Sequence, residues 1–200
     1  MRRKHFFTYL YTYINIFFQK GPYSGRPGWQ QIADAASGAS VVQAQSLGLE
    51  HQAVLPPLPI SDLLTGVLGA TSILCALRDR ARKGGSYHVV ASLTAYNMFC
   101  ISDEVGIYPA ELVQEVQQTF DFDAMTPEDN VSDLLGKVVK QWHIKRPDHM
   151  NFEGKYFVGF NESPFGTIRI LAPVAKLDKY PSKWDCSPRP YGYDKPTFDY

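Results

Sequence analysis

The chain has 200 residues, of which 44% are hydrophobic and 20% charged, enough for one globular domain with a sizeable core. Its 20 basic and 20 acidic residues cancel, so it lacks the positive charge typical of proteins that bind nucleic acids or anionic membranes. Three widely spaced cysteines, Cys75, Cys100 and Cys186, form no zinc-binding pattern and favour a reducing compartment. We expect neither a nucleic-acid partner nor a metal site.

The first twenty residues form an atypical start. A basic stretch, Arg2–His5, precedes an apolar and aromatic run over residues 6–18, as in a signal sequence. Several polar side chains interrupt the run, however, and no small-residue cleavage site follows it. It is too short to span a bilayer as a helix, and so is the apolar run Leu63–Leu77. We therefore expect a cytoplasmic protein with no membrane partner, with mitochondria and peroxisomes as alternative locations.

Residues 21–28, GPYSGRPG, are dense in turn formers and predict a loop. Because the strand–Gly-x-Gly-x-x-Gly–helix context is missing here, the loop is not a nucleotide-binding fingerprint. Trp29–Ala36 predicts a short helix whose polar side carries Gln30 and Asp34. Residues 39–60 predict an irregular connection, which three prolines close before the next helix.

The chain from Asp62 to Lys83 predicts a central helix. It contains no proline, its apolar residues recur at helical spacing, and small residues fill the other face. A helix that is apolar or small nearly all round is usually buried. Ser61 is the expected N-cap and the pair Gly84-Gly85 the expected C-cap. The apolar positions are Leu63, Leu64, Val67, Leu68, Ala70, Ile73, Leu74, Ala76 and Leu77.

Asp62 lies in the first turn of this helix, where its position allows two interpretations. In the first, the carboxylate only interacts with the free N–H groups and the dipole of the helix. In the second, it is a catalytic nucleophile that those N–H groups orient. Acidic residues are common in first turns, so the spacing alone favours the first interpretation.

Beyond Gly85 the pattern alternates between strands and helices. Ser86–Leu93 predicts a strand, followed at once by a helix from Thr94 to about Ile101. His88 on this strand has no acidic or cysteine neighbour in the sequence, which favours a structural role. Further helices are expected over Pro109–Phe120 and from Pro127 to Trp142, further strands over residues 156–160 and 167–171, and an irregular tail from Lys179.

These elements place the chain in the α/β class, as a fragment with a central buried helix and short strands. The expected divisions are an atypical N-terminal segment over residues 1–20, a core around Asp62 over 21–99, a helical part of a small domain over 100–150, and short strands with a wrapping tail over 151–200.

Four sequence blocks occur in a fixed order. They are GPYSGRPGWQQIADAASG at residues 21–38, a proline-rich stretch, SD-x-x-TG at 61–66, and GGSYHV at 84–89 with Ser92-Leu93 after it. Taken together, they resemble CoA-transferase family III, the CaiB/BaiF group that also includes alpha-methylacyl-CoA racemases. The match covers residues 21 to about 99, and the segment from Pro164 to Asp185 resembles the end of fungal-type members. The resemblance implies a partial CoA-transferase family III fold.

The resemblance implies that Asp62 is the catalytic aspartate. In the transferases this carboxylate attacks the thioester of an acyl-CoA to form a mixed anhydride, and the released CoA thiolate converts the anhydride into an aspartyl-CoA thioester. A carboxylic acid acceptor then reverses these steps and leaves as a new acyl-CoA. A carboxylate whose pKa is about 3.9 is already ionised at neutral pH, so it requires orientation rather than a base. Coenzyme A is a substrate here, and no cofactor is tightly bound.

The resemblance also implies roles for Gln30 and Arg26. Gln30 occupies the position at which transferases carry Glu or Gln and racemases carry the histidine of their acid–base pair. A glutamine cannot transfer a proton at neutral pH, which argues against racemase chemistry and leaves Gln30 a hydrogen-bonding role at the acyl group. A polar residue on a helix face is the alternative. Arg26 lies near the family's basic contact to CoA phosphate.

The sequence departs from the family in one major respect. The N-terminal nucleotide-binding half is not recognisable, and residues 1–20 should contribute only the strand that leads into the loop. Without that half, the central helix should expose apolar surface. The family's interlocked homodimer is then harder to build. The alternatives to a transferase are therefore a truncated, inactive remnant with a binding or structural role, and a racemase-type enzyme.

Overall fold

The computed structural model describes residues 9–17 and 20–197, so residues 1–8 and 18–19 of the atypical start, and residues 198–200, lie outside the description. Within these limits the fold is mixed α/β, as expected. The elements are β1 (Leu10–Asn15), α1 (Gln30–Ser37), α2 (Ala39–Ser46), α3 (Ile60–Lys83), β2 (Tyr87–Ser92), α4 (Leu93–Cys100), α5 (Ala110–Phe120), α6 (Val131–Lys145), α7 (Pro147–Met150), β3 (Phe157–Phe160) and β4 (Ile168–Leu171).

The chain divides into two compact units, residues 1–139 and residues 140–200, and the division falls within α6. In the second unit, β3 and β4 form an antiparallel hairpin, with Phe157 opposite Leu171. The strands confirm the two predicted near residues 156–160 and 167–171. From Lys179 to residue 197 the chain forms no helix or strand, as predicted for the tail.

In the first unit, β1 and β2 pair in parallel, in register from Leu10 opposite Tyr87 to Asn15 opposite Ser92. The strand predicted to lead into the Gly-Pro loop is therefore present. Helix α3 packs against both strands and against α1 and α4. Because α3 precedes β2 and returns the chain to the start of that strand, the first turn of α3 lies near the carboxyl ends of both strands. This topology positions Asp62.

Helix α3 is buried on one face only. Its small residues Ser61, Thr65, Gly69 and Ala76 are buried. The apolar face is exposed, so the prediction that the whole helix is buried is wrong. The exposure agrees with the second expectation, that this helix shows apolar surface where the family's N-terminal half is not recognisable. Leu74, for example, is 67% exposed. The other exposed apolar residues of this face are Leu63, Leu64, Val67, Leu68 and Leu77.

The N-terminal end of α3 corrects one prediction, and its C-terminal end confirms another. The helix begins at Ile60 with Pro59 as its N-cap, so Ser61 lies inside the first turn and is not the cap. The C-cap is Gly84, as predicted, and its N–H donates to the carbonyl of Arg80. The whole of α3 has 24 residues and is longer than the apolar run Leu63–Leu77. By length and composition alone, this helix could cross a bilayer, but core helices of soluble proteins can be equally long and apolar.

Two other helix boundaries differ from the predictions. Residues 39–46 form α2 instead of an irregular connection, because the chain resumes a helix directly after Gly38, which has a left-handed φ of 84°. Helix α6 begins at Val131, not at Pro127. Asn130 ends the preceding loop, and its side-chain oxygen accepts hydrogen bonds from the N–H groups of Ser132 (2.8 Å) and Asp133 (3.1 Å). A polar side chain, not the proline, therefore starts this helix.

The junction between β2 and α4 matches the prediction. The strand ends at Ser92 and the helix begins at the next residue. The Ser92 hydroxyl accepts a hydrogen bond from the N–H of Ala95 (3.3 Å) and donates to the carbonyl of Ile16 (3.2 Å). Thr94 donates to the same carbonyl through its hydroxyl (2.6 Å). These contacts fix the carboxyl end of β1 against the start of α4.

Candidate active site

A pocket of about 460 Å³ with a mixed polar and apolar lining, called the polar pocket here after its residues Arg26, Gln30 and Asp62, lies at the carboxyl ends of β1 and β2. The end of β1, the loop over residues 24–29 and the start of α4 surround it. Arg26, Gln30 and Asp62, the three residues predicted for the site, all line this pocket. Ligands of parallel α/β sheets usually bind in such crevices outside the carboxyl ends of the strands.

Asp62 lies on the rim of the pocket, in the first turn of α3, where its side chain is exposed. The dipole of the helix favours a negative charge at this end. The backbone N–H of Asp62 donates to the side-chain oxygen of Gln30 over 3.3 Å. The first turn is therefore attached to α1 by a contact made at Asp62 itself, while the carboxylate remains accessible.

Gln30 is buried, with 5% of its surface exposed, and its amide makes three hydrogen bonds. Its Nε2 donates to Asp34 Oδ2 (3.1 Å) and to the carbonyl of Leu58 (3.2 Å), and its Oε1 accepts from the N–H of Asp62. A carboxylate and a carbonyl can only accept, so the amide nitrogen must face them and the amide oxygen must face Asp62. Both N–H donors of Gln30 are thereby used inside the protein.

Asp34 is the centre of this network. It is 2% exposed, and its Oδ1 accepts from the hydroxyl of Ser61 (2.9 Å) and from Nδ2 of Asn97 (2.8 Å). With Gln30, three neutral donors therefore surround one buried carboxylate. Charge-assisted hydrogen bonds of this kind are stronger than neutral ones, and they connect α1, α3 and α4 at one point.

The sequence did not indicate this network. It placed Gln30 and Asp34 on the polar side of α1, which suggested contact with water, whereas both are buried. One signal was available, because residues four apart lie on the same helix face and a Gln–Asp pair can hydrogen-bond there. Ser61 and Asn97 carried no comparable signal. They lie 27 and 63 residues from Asp34, and only the tertiary fold brings them together.

Arg26 lies on the loop before α1 and is exposed. Its backbone N–H donates to the carbonyl of Tyr23 (3.0 Å), and its guanidinium carbon lies 5.0 Å from the centre of the Tyr23 ring. A cation over an aromatic face is held by the ring quadrupole, and a guanidinium there keeps its donors available to an anion. Arg26 is the cation of the polar pocket.

An apolar cavity of about 680 Å³ lies on the other side of the network, bounded by α2, α4, α5 and the chain before α3. Asp34 and Ser61 contribute to its wall, but Asp62 does not. Burial, with a smaller effect from Cys100, raises the pKa of Tyr96 in this wall to about 12. The phenol is therefore neutral at physiological pH, and the cavity suits an apolar group.

Within the described residues no group of His, Cys, Asp and Glu side chains could hold a metal ion. His88 lies on β2 with its ring centre 5.8 Å from that of Tyr11, and it lines neither the polar pocket nor the apolar cavity.

Comparison with known proteins agrees with the resemblance stated above. A sequence model of CoA-transferase family III matches residues 8–128, which include the polar pocket and its supporting network. The chain belongs to CoA-transferase family III.

Similar proteins extend this finding. An acyl-CoA transferase of Gibberella moniliformis is 42% identical over 186 residues, covering 91% of this chain and 32% of that protein. An acetyl-coenzyme A transferase of Hypoxylon pulicicidum is 32% identical over 192 residues, covering 94% of this chain and 32% of that protein. The beta subunit of a succinyl-CoA–L-malate CoA-transferase of Chloroflexus aurantiacus is 34% identical over 88 residues, covering 44% of this chain and 21% of that protein. The chain thus spans about a third of the length of the two fungal relatives.

Proposed function

We propose that this chain carries the nucleophile of a CoA-transferase, which moves coenzyme A from an acyl-CoA to a carboxylic acid through a thioester on Asp62. The observation that supports the proposal most strongly is the convergence of Asp62, Gln30 and Arg26 on one polar pocket in a member of CoA-transferase family III. A carboxylate is an established type of covalent catalyst, because it divides a difficult exchange into easier steps.

In the first half-reaction, a carboxylate oxygen of Asp62 attacks the thioester carbonyl of the donor. The carbon–sulfur bond breaks, CoA leaves as its thiolate, and a mixed anhydride remains. The thiolate then attacks the Asp62 carbonyl of this anhydride, which expels the donor acid and leaves an aspartyl-CoA thioester. In the second half-reaction an acceptor carboxylate repeats these steps in reverse, and Asp62 returns to its starting state.

The position of Asp62 suits this role. A nucleophile must be accessible and must be held in one orientation, and the two demands are met by different atoms of the same residue. Asp62 lines the pocket and is exposed, and its backbone N–H is hydrogen-bonded to Gln30. The capping interpretation is compatible with this role, because the helix dipole that favours the charge also favours its orientation.

The contacts of Gln30 refine its proposed role. Its two N–H donors are used by Asp34 and Leu58, so it is better suited to hold the backbone of Asp62 than to donate to an acyl oxygen. A glutamine cannot transfer a proton in either role, and this disfavours a racemase mechanism, which needs an acid–base pair. Arg26 is proposed to contact a phosphate of coenzyme A, since a guanidinium on the pocket wall matches phosphate geometry.

The proposal is tested by intact-protein mass spectrometry after the purified chain is mixed with several acyl-CoAs. We expect an adduct with the mass of coenzyme A, removed by hydroxylamine and mapped to the peptide that contains Asp62. The Asp62→Asn variant should form none. Asp79→Asn is a matched control, because Asp79 lies on the same helix away from the pocket, and it should form the adduct normally.

Two results would contradict the proposal. One is an adduct that persists in folded Asp62→Asn protein. The other is the absence of an adduct from the folded wild-type chain with every acyl-CoA, which would favour a non-catalytic remnant.

A further inference from the structure

We propose that Asp34 is a positioning residue: its buried carboxylate selects the orientation of the Gln30 amide and, through that amide, holds the backbone of Asp62 in place. The effect on CoA loading rests on the function proposed above. The positioning itself does not depend on that function, and it can be measured in a protein that transfers no CoA.

The first step of the argument concerns the Gln30 amide. An amide has two orientations that differ by exchange of its oxygen and nitrogen. In the observed orientation, the nitrogen faces two acceptors, Asp34 and Leu58, and the oxygen faces the N–H of Asp62. In the reversed orientation the nitrogen would face the N–H of Asp62 and the oxygen would face two acceptors. All three hydrogen bonds would then be lost.

The second step concerns what holds Asp34. Its other oxygen accepts from Ser61 and Asn97, which come from α3 and α4. All four side chains of the network are at least nine-tenths buried: Asp34 is 2% exposed, Ser61 2%, Gln30 5% and Asn97 7%. Water therefore has little access to replace a lost contact, and an unpaired group in this network is costly.

The third step is the consequence of neutralising Asp34. An asparagine at this position has one acceptor and one donor where the carboxylate has two acceptors. If its oxygen faces Ser61 and Asn97, its nitrogen faces the nitrogen of Gln30. If it is reversed, its nitrogen faces that of Asn97. In the first case the conflict falls on Gln30, and the hydrogen bond at the Asp62 N–H is weakened when Gln30 moves to relieve it. In the second case the conflict falls on Asn97, and the remaining bond to Gln30 becomes a neutral and therefore weaker one, so Gln30 holds Asp62 less firmly.

The inference is tested by amide hydrogen exchange, resolved at single residues by NMR. In Asp34→Asn, we expect the Asp62 amide to exchange at least about tenfold faster, while amides in the middle of α3 keep their rates, because local opening is separable from global unfolding. Asp79→Asn is again the control and should leave the Asp62 amide unchanged. An unchanged Asp62 rate in folded Asp34→Asn protein would overturn the proposal.

A double-mutant cycle tests whether Asp34 acts through Gln30. Because both residues affect Asp62 along one path, Asp34→Asn combined with Gln30→Ala should accelerate Asp62 exchange no more than Gln30→Ala alone. Multiplying effects would overturn the proposed path. If Asp34→Asn does not fold, Asn97→Ala retains the carboxylate and removes one donor. It should accelerate Asp62 exchange several-fold, and an unchanged rate would contradict the proposal.

The functional consequence is measured as the rate of CoA loading on Asp62. Asp34→Asn should lower the maximal loading rate at least about tenfold. The acyl-CoA concentration that gives the half-maximal loading rate should change little, because Asp34 does not line the polar pocket. A change confined to that concentration would contradict a positioning role. Failure of wild-type loading would refute the proposed function, and the exchange result would still decide the inference.

Discussion

The two faces of α3 differ in what the rest of the chain provides for them. The face with small residues is buried against β1, β2, α1 and α4, and it begins with Ser61 in the Asp34 network. The face with leucines has little cover, and Leu63 and Leu74 are 65% and 67% exposed. The less hydrophobic face is therefore the more buried one, because small residues allow close packing and β1, β2, α1 and α4 of the same unit contact that side. Through Ser61, the same face also contacts the Asp34 network beside the candidate active site.

The largest effect should come from two glycines of α3, of which Gly69 packs against the strands and Gly66 is exposed. A Cβ added at Gly69 would lie 3.6 Å from Ala91 Cβ and 3.7 Å from Ile14 Cδ1, whereas one at Gly66 would have no neighbour within 4 Å. Gly69→Leu should therefore overpack the β1–β2 contact and lower the free energy of unfolding by about 1–3 kcal/mol. Gly66→Leu should raise it by about 0.5–1 kcal/mol through helix propensity.

Urea unfolding of both glycine variants provides the measurement, and each serves as the control for the other. Equal effects at the two positions would show that the faces are not packed differently, and the comparison would fail.

A smaller effect is expected at Thr65, which is 1% exposed on the buried face. In the part of the chain that the structure describes, its hydroxyl has no hydrogen-bond partner. Thr65→Val removes that unpaired group at nearly constant shape, so the free energy of unfolding should rise by about 1 kcal/mol. Thr71→Val is the control, because the Thr71 hydroxyl is exposed and donates to the carbonyl of Val67 (2.9 Å). A destabilised Thr65→Val protein would mean that the hydroxyl is paired.

The smallest effect should come from the charged last turn. The Lys83 ammonium, and next the Arg78 guanidinium, hold the pKa of Asp79 below its usual value. A depressed pKa in the folded state means that the carboxylate stabilises the protein above the unfolded-state pKa, and that this contribution is lost as pH falls through the folded-state pKa. Asp79→Asn should therefore lower the Tm slightly at neutral pH and not at strongly acidic pH. Thermal melts over a pH series test this, and a difference that grows towards acid would contradict it.

Local signals in the sequence predicted most of the elements. The proline-free run with a terminal Gly84 predicted α3, and the pattern around Ser92 predicted the junction of β2 and α4. Helix α2 was missed because the prolines after it dominated the interpretation of residues 39–60. The prediction that α3 is buried was correct for its small-residue face and wrong for its leucine face. Hydrophobicity indicates that a surface is favourably buried, but it does not indicate which part of a protein buries it.

The candidate site was predicted less completely. Family resemblance selected Asp62, Gln30 and Arg26, and the fold brings all three to one pocket. The roles of these residues stay predictions. Asp34 was predicted only to lie on the polar side of α1, because helical periodicity cannot distinguish a polar face in water from one that meets polar side chains of other helices. Asn97 lies 63 residues from Asp34 in the sequence, and only the folded chain shows that it donates a hydrogen bond to the Asp34 carboxylate.

The most direct test of the central claim, that Asp62 becomes covalently acylated, follows oxygen atoms. An acceptor acid labelled with ¹⁸O in its carboxylate attacks the aspartyl-CoA thioester, and its attacking oxygen then bridges the mixed anhydride. The CoA thiolate attacks the acceptor carbonyl of this anhydride, so the labelled bridging oxygen stays on Asp62. Mass spectrometry after turnover should find ¹⁸O in the peptide that contains Asp62 and not in the peptide that contains Asp79. Formation of the new acyl-CoA with an unlabelled Asp62 peptide, or no product from the folded chain, would contradict the account.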